Sequence, residues 1–303
     1  MIHPSHLPDT RRALGTLAML AMLLPAILML PTHGMGVSIP YYVPVHSALE
    51  VVSVVVASLI FAIGWSSSRH SGPRAVLVVS SLFLGIAILD LMHLLSFRGM
   101  PDFITPSSPQ KAIDFWLAAR TFAAAAMLAA ALLPWRRPAA LPRHVLATLV
   151  LLAVLAISVL LTYRPQWLPL TYADNLGLTP IKIRFEYALI AVHLAVALLC
   201  YRHLRAPRTF NAAGLLAATC IIAMSEFLFT LYVDVTDLHN LLGHLYKVVA
   251  YVFLYEALFG ETVEIPYQRL QESEQYLTAT LDTLPDLLFE VDESGTHVNV
   301  HAR

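Results

Sequence analysis

The chain has 303 residues, of which 58% are hydrophobic and only 13% charged, and its mean hydropathy is +0.68. So little polar surface excludes a soluble globule and identifies an integral membrane protein. A formal net charge of -1, with no polybasic run, excludes a nucleic-acid-binding arm.

Apolar runs of about 18 to 24 residues mark eight expected spans, near 13–31, 45–65, 75–97, 112–134, 144–163, 184–203, 211–233 and 238–259. Arg11 and Arg12 precede the first run, but no small-residue cleavage site follows, so it reads as a retained helix rather than a signal peptide. The fold class expected is all-α, a polytopic bundle of about eight transmembrane helices. Cys200 and Cys220 both fall inside apolar runs, which excludes a disulfide framework.

One set of helix ends carries Arg11, Arg12, Arg69, Arg74, Arg136, Arg137, Arg143, Arg202, Arg205 and Arg208. The opposite loops carry Arg98, Lys111, Arg164, Lys182 and Arg184. Counted so, about ten basic residues face five, and the positive-inside rule puts the N-terminus and the tail after residue 260 on the cytoplasmic side.

Ionisable residues recur inside these runs at one depth, in the outer half of the bilayer. His46 and Glu50 share a face of the second helix at i, i+4, and Asp90 and His93 share one on the third at i, i+3. Arg120 lies one turn beyond Trp116 on the fourth. Thr179 as N-cap and Pro180 at the first helical position open the sixth, which brings in Glu186. Glu226 follows on the seventh, and the eighth carries His239, Asn240, His244, Lys247 and Tyr251. Asp237 or Thr236 caps its start. Residues 123–133 and 149–155 hold no ionisable group, which argues against an ion pathway across the whole thickness. The pattern suggests a pocket open to the periplasmic side.

Three uses of this set are open. Imidazoles with carboxylates suit a transition metal, for which His46, Glu50, His93 and His244 are the candidate ligands. Paired histidines could ligate haem, with Arg120 and Lys247 facing propionates or an anionic ligand. That is the alternative of a redox protein acting on quinol or another lipid-soluble substrate. The third use is structural: Glu186 with Arg120, or Lys247 with Glu226, pair and hold helices in register. His193 reads as a lone hydrogen-bonded imidazole, and His3, His6 and His33 receive no role. A secondary transporter would show inverted repeats, and none is visible.

After residue 260 the composition changes. Residues 261–284 form a cytoplasmic connector, a polar helix with Leu270, Leu277, Leu281 and Leu284 spaced as a short coiled-coil seam, which implies a homodimer. Residues 286–292 and 296–300 then read as two strands around a turn at Glu293-Ser294-Gly295. A lone hairpin is marginal, so residues 285–303 are expected to begin a second, soluble domain that the sequence cuts short. The chain carries no phosphate-binding glycine loop and no nucleophile elbow, so this part of the protein is expected to be catalytically inert.

Two resemblances follow from particular motifs. Leu281-Asp282-Thr283-Leu284-Pro285-Asp286, followed by Phe289-Glu290-Val291-Asp292-Glu293-Ser294-Gly295, resembles the opening of a PAS domain. His46-Ser47 with Glu50, Asp90-Leu91-Met92-His93-Leu94-Leu95-Ser96, Arg98-Gly99-Met100-Pro101, Trp116-Leu117-Ala118-Ala119-Arg120, and His239 with His244 and Lys247 resemble the third of the bacterial membrane-associated sensor (MASE) families. That likeness extends over about residues 15 to 260. It implies a sensory input module of a histidine kinase or diguanylate cyclase, often with PAS domains between, and it leaves the stimulus open.

Overall fold

The computed structural model describes residues 2–29, 39–68, 73–135, 137, 141–173, 176–282, 288–291, 293, 294 and 296–301. It divides into two compact units, Met1–Phe259 and Gly260–Arg303. Expectations placed on His33, Arg69, Arg136, Thr283 to Leu287, Asp292 and Gly295 lie outside the described residues.

Among the described residues the first unit contains eight α-helices: α1 (Leu7–Leu28), α2 (Tyr42–Ser67), α3 (Arg74–Leu95), α4 (Pro109–Leu132), α5 (Arg143–Tyr163), α6 (Pro180–His203), α7 (Ala212–Leu228) and α8 (Leu238–Phe259). Each answers to one expected span. The six from α1 to α6 are long and apolar enough to cross a membrane, so the protein is a multi-pass membrane protein. Helix α7 is shorter, at 17 residues, and stops at Leu228 rather than near 233. The following segment is held by its own side chains, with Asp234 Oδ1 accepting from Thr236 N at 2.8 Å and Asp237 Oδ2 from Val233 N at 2.9 Å. Such side-chain acceptors compete with helix continuation. Helix α8, 22 residues long, carries His239, His244, Lys247 and Glu256.

The packing order does not follow the chain. Helices α2, α3, α4, α6, α7 and α8 each pack on the next, and α8 returns to α2, so six helices close a ring. Helix α1 packs outside it on α7, and α5 outside it on α3 and α4. In lipid no hydrophobic force separates helix from tail, so close approach through small residues supplies much of the cohesion. Helix α4 buries Ala123, Ala124, Ala126, Ala130 and Ala131, and α7 buries Ala213, Gly214, Ala217 and Ala218. At the α2–α3 contact a Cβ added to Gly64 would run into the Ser80 side chain. Gly64→Ala should therefore destabilise the bundle by about 1–3 kcal/mol, seen as a lower melting midpoint in detergent, and Ser80→Gly should relieve it. An unchanged midpoint in the single variant would contradict this close contact.

Between α5 and α6, β1 (Tyr172–Ala173) and β2 (Gly177–Leu178) pair antiparallel. The second unit opens with a π-helical turn, Gly260–Glu264, followed by α9 (Ile265–Asp282). Leu270 and Leu277 are 57% and 60% exposed on α9, as a seam without its second strand would be. Next come β3 (Leu288–Val291) and β4 (His297–His301), an antiparallel hairpin where the strand pattern places one.

Candidate functional site

The elements that carry the polar residues are positioned by local signals. Ser108 caps α4 by accepting from Lys111 N at 3.2 Å, and Pro109 stands at the first turn, which sets Trp116 and Arg120 on one face. Thr179 caps α6 as expected, with Pro180 next. Asp237 caps α8 through Asn240 N at 3.1 Å, and His244, Lys247 and Tyr251 then fall on one stripe. Burial raises the Asp237 carboxyl above its usual pKa, against the lowering effect of the Asn240 and Val233 amides.

All ten residues singled out by their depth are buried, none more than 4% exposed: His46, Glu50, Asp90, His93, Arg120, Glu186, Glu226, His239, His244 and Lys247. They come only from the six ring helices, and α1 and α5 contribute none. Buried charges on every wall of a closed ring need partners or a ligand, because an isolated ion in an apolar interior is costly.

The structure sorts them into two groups. In the first, Lys247 Nζ reaches both carboxylate oxygens of Glu50, at 2.6 and 2.7 Å, joining α8 to α2. Arg120 Nη2 holds both oxygens of Asp90, at 2.7 and 2.9 Å, joining α4 to α3. Lys247 Nζ is also 3.7 Å from Asp90 Oδ2, and Tyr251 Oη is 3.5 Å from it. The pairings expected from sequence, Glu186 with Arg120 and Lys247 with Glu226, are replaced by pairs between ring neighbours. Trp116 underlies both cations, 4.4 Å from the Arg120 guanidinium and 4.7 Å from Lys247 Nζ.

Beside these pairs three imidazoles converge. The His46 and His244 rings are 4.5 Å apart, His46 and His93 5.5 Å, and His93 and His244 5.8 Å. His93 Nδ1 lies 2.7 Å from the Ala112 carbonyl oxygen, to which it donates, leaving Nε2 as a buried lone pair with no hydrogen-bond partner among the described residues. Neither His46 nitrogen has such a partner, and His244 Nδ1 stands 2.6 Å from Glu50 Oε1. One donor atom each from His46, Glu50, His93 and His244 lies within 4.8 Å of the other three. A backbone carbonyl on one imidazole nitrogen, with the other nitrogen free, is the usual outer support of a metal-ligating histidine.

Aromatic rings enclose the cluster. Phe97 stacks on His46 at 4.2 Å, and Phe229 contacts Trp116 and His244 at 4.5 and 4.9 Å. Phe229 fits because position 243 is glycine; a Cβ there would stand 2.5 Å from the ring. His93, Trp116 and His244 also line a narrow pocket, walled by Phe229, Tyr232 and Asn240.

The second group lies between α6 and α7. Lys182 Nζ is 3.0 Å from Glu186 Oε1, one turn along α6, and also donates to the Phe229 carbonyl. Glu226 faces Glu186 from α7. In the sequence Lys182 reads only as a loop charge; its i, i+4 spacing to Glu186 is the signal that would have found it. His193 is as expected, a buried ring whose Nδ1 is 3.1 Å from Thr219 Oγ1. His239 is buried but stands apart from the four-donor cluster.

Compared with known families, residues 37–266 match the MASE3 membrane-associated sensor domain, a stretch that includes α2 to α8 and all ten residues above. No curated protein and no solved structure matches the chain.

Proposed function

Because the chain belongs to the MASE3 family of membrane-associated sensor domains, we propose that it is the sensory input module of a bacterial signalling protein, of histidine kinase or diguanylate cyclase type. The observation that carries the reading is the set of four converging donors contributed by α2, α3 and α8. Their residue types suit a first-row transition metal, with His46, Glu50, His93 and His244 as ligands. Donors gathered about a point suit a bare ion better than haem, and Phe97 stacked at 4.2 Å on His46 leaves no slot for a macrocycle there.

Binding at this centre would act on α8 in particular, since His244 is a ligand and Lys247, one turn on, holds the Glu50 carboxylate. A ligand drives a change only by preferring one arrangement of the bundle. Helix α8 is also the segment through which the chain leaves the first unit, at Phe259. The output path is α9, dimerised along Leu270 and Leu277, into the PAS-like hairpin. The arginine bias supports an inner-membrane orientation with both ends cytoplasmic and the pocket facing the periplasm.

Elemental analysis of the detergent-purified full chain tests the reading. A stoichiometric transition metal is expected, lost in His93→Ala and in His244→Ala while both variants remain inserted and folded. Wild-type protein that retains no metal and takes up neither added Zn²⁺ nor Co²⁺ would sink it.

A further inference from the structure

We propose that Glu186 on α6 and Glu226 on α7 form a proton-binding site, one proton being shared between two carboxyl groups inside the helix ring. It does not rest on the metal reading, since neither residue is among the four donors. Both side chains are buried, at 0% and 1% exposure, and their carboxyl groups are in hydrogen-bonding contact. Beyond the ion pair of Glu186 with Lys182, no hydrogen-bond donor of the described residues serves either oxygen of Glu186 or Glu226 Oε2. Two carboxylates in contact in an apolar interior cannot both be ionised, whereas a carboxylic acid donating to a carboxylate satisfies both.

The charges around the pair point the same way. Among the described residues the ring interior holds three cations, Lys182, Arg120 and Lys247, against four acids, Glu50, Asp90, Glu186 and Glu226. Lys247 is hydrogen-bonded to Glu50 and Arg120 to Asp90, while Lys182 is ion-paired with Glu186. A single proton restores neutrality. The other groups on elements packed against the pair are His193 on α6, bonded to Thr219, and His239 and His244 on α8, of which His244 is at Glu50. Arg120 on α4 also faces Glu226, and Tyr232 faces Glu186; Arg120 is already counted among the three cations, so the interior remains one positive charge short.

Deeper along the α6–α7 seam the next polar groups are His193 and Thr219, each seven residues on, which is about 10 Å at the helical rise. Leu189 and Ile222 are buried between. Arg120, a permanently charged group, faces both Glu226 and His193 across that gap, so the pair stores a proton rather than passing it on. Toward the other end, Lys182 Nζ lies 4.7 Å from the ring of Tyr232, which also walls the narrow pocket, and exchange by that side is part of the proposal. The module thereby gains a second input, the proton activity on the side to which the pocket opens.

Infrared difference spectroscopy of the full chain in lipid vesicles, stepped from acid to alkaline pH, tests this. The wild type should lose a protonated carboxylic C=O band on alkalinisation, and Glu226→Gln should lack that band. Glu186→Gln, read in the same way, guards against misfolding of the first variant. The folded state keeps a proton that an unfolded glutamate gives up near pH ~4.3, so above that pH the melting midpoint should fall as pH rises, and less steeply in Glu226→Gln. The absence of the band, its persistence in both variants, or a response to Na⁺ in place of choline but not to pH would each overturn the proposal.

Discussion

Arg120→Met is expected to cost about 3–5 kcal/mol, the usual penalty for leaving one member of a buried ion pair without the other. Asp90 is fully buried and its two oxygens are held by Arg120 Nη2, so the variant leaves a carboxylate in the ring interior with only Lys247 at 3.7 Å and Tyr251 at 3.5 Å. The readout is the detergent melting midpoint together with the monodisperse yield. Removing both charges with Asp90→Leu/Arg120→Met should recover most of the loss, because an apolar pair needs no desolvation. A single variant as stable as the wild type would show that this pair is not holding α3 to α4.

Lys247→Met has a different expected outcome, which depends on the metal reading. In the metal-free protein it strips both Glu50 oxygens of their ammonium partner and should destabilise by a similar ~3–5 kcal/mol. Yet Glu50 is then free to serve a cation, and a metal no longer has a positive charge beside it. The affinity for Zn²⁺ or Co²⁺ should rise tenfold or more, about 1.4 kcal/mol. The fold should also become metal-dependent, with added metal restoring the midpoint. Competition titration and melting with and without metal are the measurements. Affinity that is unchanged or lower would mean that Lys247 does not compete for Glu50.

Much of the site is legible in the amino-acid order. The i, i+4 and i, i+3 spacings of His46 with Glu50, Asp90 with His93, and His244 with Lys247 report helix faces, and the cost of charge in lipid turns such faces inward. The caps at Thr179 and Asp237 are readable from the same kind of local chemistry. Which face meets which is not readable. The pairs Glu186–Arg120 and Lys247–Glu226 are reasonable by depth alone, but the closed order α2, α3, α4, α6, α7, α8 replaces them with Arg120–Asp90 and Lys247–Glu50. The exclusion of α5 from the ring carries no sequence mark beyond its lack of Asp, Glu, Lys, Arg and His after His144.

The membrane class, the eight helices, the inward faces of the polar residues and the hairpin after α9 all follow from residue order, because length, periodicity and capping act over a few neighbouring residues. Packing between distant segments settles the rest: that α8 closes on α2, that three imidazoles and Glu50 meet at one point, and that Glu186 and Glu226 are left to share Lys182. Those outcomes depend on the close approach of small residues such as Gly64 to Ser80 and on the space at Gly243 for Phe229. Such contacts join residues far apart in the chain, and helix spacing cannot foretell them.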